Sequence, residues 1–339
     1  INEKELRDLI RIALQGVGNV VGRSLQRHWE RACNQDGYND VIDVAWNGFR
    51  SYLDQMWFVK VLGGERNYPA AIQRAVKEGN LESVLDEHLW ITRRLRGLNG
   101  RSLARDLRNA IRLRSSTVTL RTLGDKDAQP FTLRCHVAIP YTKKQQQFRM
   151  SDTNESKPLR ADELRSAFNT PFWPNILATT SIGQEGLDFH VWCDTLIHWD
   201  LCGNPVDLEQ REGRIQRYGG LSIRKAIADR FGRKAIKETP FGESPWDTLA
   251  SFAEQARPRD PSGLSPWWIF NGAQIHRYVF DVPLSAQDQQ LSWLHKQRLL
   301  YRLVLGQPNQ EDLIEYLANN EQKDPVFFKR YILNLSPYF

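Results

Sequence analysis

Cysteine is scarce in this sequence: 339 residues hold four, Cys33, Cys135, Cys193 and Cys202. They form no paired framework, which excludes a disulfide-stapled secreted domain and points to a reducing cytoplasm. Long hydrophobic runs are missing as well. No stretch approaches the roughly 18 apolar residues a membrane span needs, so no membrane partner is expected. Ile1 is not an initiator Met and opens no charged, apolar, small-residue succession, so neither a signal peptide nor a natural start is read there, and sequence upstream is expected. A phosphate-cradling G-x-x-x-x-G-K-[ST] loop occurs nowhere. No cluster of acids with a nearby Lys or His stands out, which sets a nuclease aside. Asp86-Glu87-His88 imitates an acidic metal box, but no strand precedes it and Leu81, Val84, Leu85 and Leu89 make it helical.

What is present suits a globular chain. Hydrophobic residues at 41% and aromatics at 11% are too rich for disorder, and the length suits two or three domains. The formal charge of +6 is modest, yet it is concentrated. From Arg93 to Arg121 nine arginines meet one acid, Asp106. Arg101, Arg105, Arg108 and Arg112 fall three or four apart and would line one side of a helix. Such a row is either a solvated face or a surface that meets nucleic-acid phosphates.

Three regions follow from composition. Residues 1–130 read as helical, with apolar spacing through Leu6, Leu9, Ile10, Ala13 and Val17 and again through Ile72, Ala75, Val76, Leu81, Val84 and Leu85. Residues 131–235 carry a polar loop insertion at 142–160, then two buried-strand candidates, Ile176 to Thr179 and Thr195 to Trp199, each followed by a turn and a polar or helical segment. That alternation predicts an α/β fold, a parallel sheet flanked by helices, with its ligand at the carboxyl ends of the strands. Residues 236–339 read as a mostly helical extension. Ser285 with Asp288 resembles a capping box for a helix through Leu291, Leu294 and Tyr301, and the Trp246 to Trp268 region, with five prolines between Pro240 and Pro266, reads as an ordered linker.

The unusual residues gather between Ile176 and Gly220. Asn204 and Pro205 make a helix start, and the helix is expected to run to about Arg217, with Gly219 and Gly220 as its stop. Gln210, Gly213, Arg214 and Arg217 would then share one face. A glycine inside a helix costs about 1 kcal/mol against Ala, so Gly213 implies close approach of another surface. Two arginines flanking that bare patch suit charge on a transferring phosphoryl group. Upstream, Ala178 to Phe189 leaves a strand with hydroxyls at Thr179, Thr180 and Ser181, glycines at Gly183 and Gly186 and a carboxylate at Asp188. Small residues and free amides there would let a backbone lie against a sugar-phosphate chain.

Together these segments resemble the second RecA-like lobe of superfamily-two helicases, of the Swi/Snf-like or RapA-like kind. ATTSIGQEGLDF is similar to motif V, and the run from His198 through Asp200, Asn204 and Pro205 to Arg217 is similar to the block that ends in motif VI. Cys202 and Gly203 depart from it, standing where relatives often have Pro and Trp. The resemblance implies that Gln210, Arg214 and Arg217 face ATP on a first lobe, the arginines as fingers, with Gly186, Asp188 and Gly213 beside the nucleotide. It implies that Thr180 and Ser181 contact the nucleic-acid backbone. It also implies that ATP and Mg²⁺ are held mainly by that first lobe, upstream or on a partner chain, so this chain alone should not hydrolyse ATP. A fainter similarity, carried by FNTPFWPNILATTSIGQEGLDFH and YRLVLGQPNQEDL, is to helicase-related proteins of bacterial anti-phage systems such as DISARM. It implies double-stranded DNA rather than RNA as substrate and other defence proteins as partners. The competing function is a nucleic-acid-binding or scaffolding subunit whose motor-like fold does not turn over ATP.

No metal site is expected. His190, Cys193, His198 and Cys202 have the spacing of a small zinc knuckle, but alternation along Cys193 to Trp199 puts Cys193 and His198 on opposite faces of a strand.

Overall fold

The apolar spacing of the N-terminal region builds helices, and one of them starts from a full cap. In the computed structural model, which describes residues 2–28, 42, 46–49, 68–98, 100–111, 116–120, 131–135, 166–172, 175–179, 188–257, 263–280 and 286–303, Asn2 and Glu5 form a reciprocal capping box at the head of α1 (Glu3–Gln15). Leu6, Leu9 and Ile10 nevertheless stay half-exposed, so their spacing made a helix without making a core. α2 (Val17–His28) turns inward. Its Val17, Val20, Val21 and Leu25 pack with Val76 of α3 (Tyr68–Glu78), Leu85 and Leu89 of α4 (Leu81–Arg96) and Leu103, Leu107 and Ile111 of α5 (Gly100–Ile111). Gly97, at φ +64°, caps α4 with its N–H on the Arg93 carbonyl, the left-handed stop that glycine adopts without strain.

Arginines from α2 knit this core. Arg23 donates to Glu82 at 2.6 Å and to the Ala13 and Leu14 carbonyls, which closes the end of α1. Arg27 reaches Asp86 at 2.7 Å and also Glu82. The acidic imitation of a metal box is thus a helical segment, with Asp86 beside Arg27 and His88 edge-on to Phe172.

Two expectations for this part of the chain fail. A hairpin replaces helix: β1 (Ser116–Leu120) pairs antiparallel with β2 (Phe131–Cys135), Ser116 opposite Cys135 and Leu120 opposite Phe131. The STVTL run is rich in β-branched residues, which prefer a pleated strand to a helix. Residues 176–179 form no strand among the described residues, and Ile176 is 84% exposed. An apolar Ile-Leu-Ala run carries no periodicity that separates a strand from an extended surface segment.

The chain divides into two compact units, 1–183 with 228–252, and 184–227 with 253–339. The second unit pairs β3 (Thr195–His198) in parallel with β4 (His276–Val279), Thr195 opposite His276 and His198 opposite Val279. Parallel strands need a crossover connection, and here it carries α6 (Pro205–Gly213), α7 (Leu221–Glu238) and α8 (Pro245–Gln255). α7 begins in the second unit and ends in the first. α8 occupies part of the expected linker. Ser244 supplies its start, accepting from the Trp246 N–H, and Trp246 and Trp90, both in the first unit, have ring centroids 5.6 Å apart. α9 (Gln287–Leu303) buries Leu294 against Leu201, Cys202 and Leu208. The described residues are therefore mainly helical with a two-stranded parallel sheet. Ser285, the expected cap of α9, lies outside them, as do residues 304–339 of the expected helical extension.

Candidate functional site

Two neighbouring stretches of the second unit build the site. The first is the exit from residues 188–194. The second is α6 and the turn that follows it. Asn204 caps α6 by accepting from the Asp207 N–H at 2.8 Å, and Pro205 opens it at the position where a missing N–H costs nothing. The helix stops at Gly213, four residues before the expected end at Arg217. Its last turn tightens, Arg214 N–H bonding the Arg211 carbonyl and Ile215 N–H the Glu212 carbonyl, while Ile215 is drawn inside. Gly219, at φ +63°, then turns the chain, donating to the Trp267 carbonyl at 2.8 Å before α7 begins.

Gln210, Gly213, Arg214 and Arg217 consequently do not lie on one helix face. Arg217 returns by its side chain instead: its Nε donates to the Gly213 carbonyl at 3.2 Å and lies 3.0 Å from Asp188 Oδ1. The backbone makes the same junction, Phe189 N–H donating to the Arg214 carbonyl at 3.0 Å. Asp188, Gly213, Arg214 and Arg217 thus come together from two separated sequence segments. Gln210 is exposed one turn earlier.

The two arginines differ. Arg217 is half-exposed and tied to a half-exposed carboxylate. The Nε of Arg214 is buried with no hydrogen-bond partner among the described residues. A methyl group placed on Gly213 would meet nothing within 4 Å among the described residues, so the close approach expected there is not made by them. Gly213 thus lies open among the described residues, with the Arg217 guanidinium on its carbonyl, and arginine donors fit an anion such as a nucleotide phosphate. Among the described residues no group of three or more His, Cys, Asp or Glu gathers to hold a metal ion.

Several important residues were not visible beforehand. Arg224 on α7 is 1% exposed and donates to the Gly219 carbonyl at 2.7 Å and the Val191 carbonyl at 2.6 Å, with its guanidinium over the Trp192 ring. It pins the 188–194 exit to the turn after α6. Lys225 meets Asp194 at 2.5 Å; burial pushes the Asp194 carboxyl up, but hydrogen bonds from Lys225 and Thr195 outweigh it and hold the group below its usual range. Glu212 takes Arg277 at 2.8 Å and Arg298 at 3.1 Å. Nothing in the sequence sets these three side chains apart from their many charged neighbours.

The zinc-knuckle residues are placed as follows. β3 buries His198 and exposes Thr195, the Cys193 thiol donates to the Thr195 carbonyl, and the Cys202 thiol donates to the Asn204 carbonyl. Burial pushes both thiols up, and burial followed by Arg211 pushes the His198 imidazole down.

Of the residues expected to meet nucleic acid, Thr179 is exposed in the first unit and Arg105 is exposed on α5. Arg101 and Arg108 lie on the same helix, whereas Thr180, Ser181, Gly186 and Arg112 fall outside the described residues.

Residues 141–219 match the helicase conserved C-terminal domain family. That span contains Asp188, Gln210, Gly213, Arg214 and Arg217, and it supports a helicase C-terminal lobe in this chain. No curated protein and no solved structure matches the chain. No helix among the described residues is long and apolar enough to cross a membrane.

Proposed function

We propose that this chain supplies the second, RecA-like motor lobe of an ATP-driven DNA helicase or translocase, in which Arg214 and Arg217 complete a nucleotide site held on a first lobe. The carrying observation is the junction itself: within a helicase C-terminal domain match, Asp188 and Arg217 are ion-paired at 3.0 Å beside an Arg214 Nε that is buried without a partner among the described residues. A buried guanidinium donor left unsatisfied costs free energy, and an arriving phosphate oxygen removes that cost. Asp188 keeps Arg217 folded over the end of α6, close to where that oxygen would arrive, until the stronger anion competes for it. ATP supplies the phosphoryl group, and Mg²⁺ is proposed to be held with it mainly by the first lobe. Gln210, exposed one turn away, and Gly213, which leaves room, complete the face presented to the nucleotide.

Double-stranded DNA is the proposed track, met by the hydroxyls of Thr179, Thr180 and Ser181 and by the arginine row Arg101, Arg105, Arg108 and Arg112. The setting proposed is the bacterial cytoplasm and anti-phage defence, with other defence proteins as partners. The resemblance of FNTPFWPNILATTSIGQEGLDFH supports that setting. Arginine fingers are typically worth about 10³ to 10⁵ in turnover. Arg217→Ala in the complete motor is therefore expected to nearly abolish DNA-stimulated ATPase activity while DNA affinity stays within about twofold. Unchanged turnover would sink the assignment.

A further inference from the structure

We propose that Glu212 is a positioning residue through which β4 and α9 brace the helix that carries Gln210, Gly213 and Arg214; its effect on turnover rests on the motor reading above. Glu212 lies on α6 immediately before Gly213 and Arg214, and its carboxylate is buried. Each oxygen is claimed by a different arginine. Oε1 meets Arg277 Nε of β4 at 2.8 Å, and Oε2 accepts from Arg298 of α9 at 3.1 Å. Two donors on two oxygens fix the rotation of the carboxylate as well as its position.

An apolar seam runs beside this clamp. Leu208 of α6 and Leu294 of α9 are fully buried together with Leu201 and Cys202, and Val279 and Leu291 pack on them. Gln290 of α9 donates to the Cys202 carbonyl at 3.0 Å, which holds the entry to α6. Both arginines, Gln290 and Leu294 follow residue 219, beyond the span that matches the helicase C-terminal domain. The groups that brace α6 therefore lie outside the matched span.

The chemistry indicates geometry rather than stability as its purpose. Replacing a buried ionic group by apolar residues of similar volume is often neutral or stabilising. What an apolar seam cannot do is forbid slippage: sliding α6 along α9 would leave Leu208 among other apolar groups but would strand Glu212 without a donor. Because residues 212, 213 and 214 are consecutive, the fixed carboxylate fixes Arg214. Through the Gly213 carbonyl it also fixes the 3.2 Å bond that brings Arg217 back.

The test uses the complete motor, with this chain and its first lobe together. Arg277→Gln/Arg298→Gln removes both donors. A triple variant with Glu212→Gln leaves no stranded charge and serves if the double variant does not fold. The expected result is a roughly tenfold or greater fall in kcat with KM for ATP within about twofold, since a misplaced group costs the transition state more than the ground state. Amide exchange of residues 205–214 is expected to accelerate about tenfold or more, with little change elsewhere. Arg277→Lys/Arg298→Lys, which restores charge without the planar fork, should recover part of both. Unchanged kcat and unchanged exchange in a folded variant would overturn the brace, and so would exchange that accelerates evenly along the chain. If Arg217→Ala, run in parallel, leaves turnover intact, the motor reading has failed and exchange alone decides: local acceleration at 205–214 supports the brace, and none overturns it.

Discussion

The helical first unit and the motif-bearing second unit both use arginine heavily, but they leave it in different states. In the first, Arg23 and Arg27 are shared among Glu82, Asp86 and the carbonyls at the end of α1, and Arg93 lies 2.5 Å from Asp247. In the second, Arg217 holds a half-exposed Asp188 and Arg214 keeps a buried Nε without a partner among the described residues. Guanidinium groups whose donors are met inside the chain serve the fold. A donor left over marks the place where the chain expects something else.

Arg224 sharpens that comparison, because it belongs to the second unit yet bonds like the arginines of the first. Arg224→Ala strips two charge-assisted bonds, one to the buried Gly219 carbonyl and one to the part-buried Val191 carbonyl, and is expected to lower unfolding stability by about 3 kcal/mol, read from denaturant midpoints. Arg27→Ala breaks the pairs with Asp86 and Glu82. Glu82 is part-exposed, so a smaller loss of about 2–3 kcal/mol is expected, with turnover per folded molecule unchanged. Loss of turnover without loss of stability in either variant would erase the distinction between the two groups of arginines.

Acid should separate the units by pH rather than by size of effect. Burial, then Arg211, lowers the His198 imidazole below its ordinary 6.5. The unfolded chain therefore takes up a proton first, and stability is lost as pH falls from about 6.5 towards the lowered folded value. At Glu82 burial raises the carboxyl, but hydrogen bonds from Arg23 and Arg27 outweigh it and hold the group below 4.5. Its contribution is present above 4.5 and is lost only as pH falls through that lower value. The second unit should thus weaken at higher pH than the first, a difference that amide exchange between pH 7 and 4 resolves and that His198→Phe should reduce.

Local chemistry was legible in the sequence where a few adjacent residues decide the outcome. Asn204 and Pro205 start α6 as expected, and the helical reading of Asp86 to His88 holds. The end of α6 was not legible, because helix spacing continues on paper to Arg217 while the burial of Ile215 and the turn at Gly219 end it in space. The strand β4 was hidden too, since HRYV is unremarkable until β3 is beside it. The chemically distinctive residues of the site were named from the sequence, but the contacts that aim them, from Arg224, Arg277 and Arg298, join positions far apart in the chain and leave no local pattern. Leu6, Leu9 and Ile10 show the reverse failure: a clean apolar period that ends half-exposed.

The most direct test is Arg214→Ala in the complete motor, with DNA-stimulated ATP turnover and thermal unfolding measured on the same preparation. Because the buried Nε of Arg214 has no partner to lose among the described residues, turnover is expected to fall by about 10³ or more while the unfolding midpoint stays within a degree or two. A clear drop in the midpoint with turnover per folded molecule intact would contradict the account.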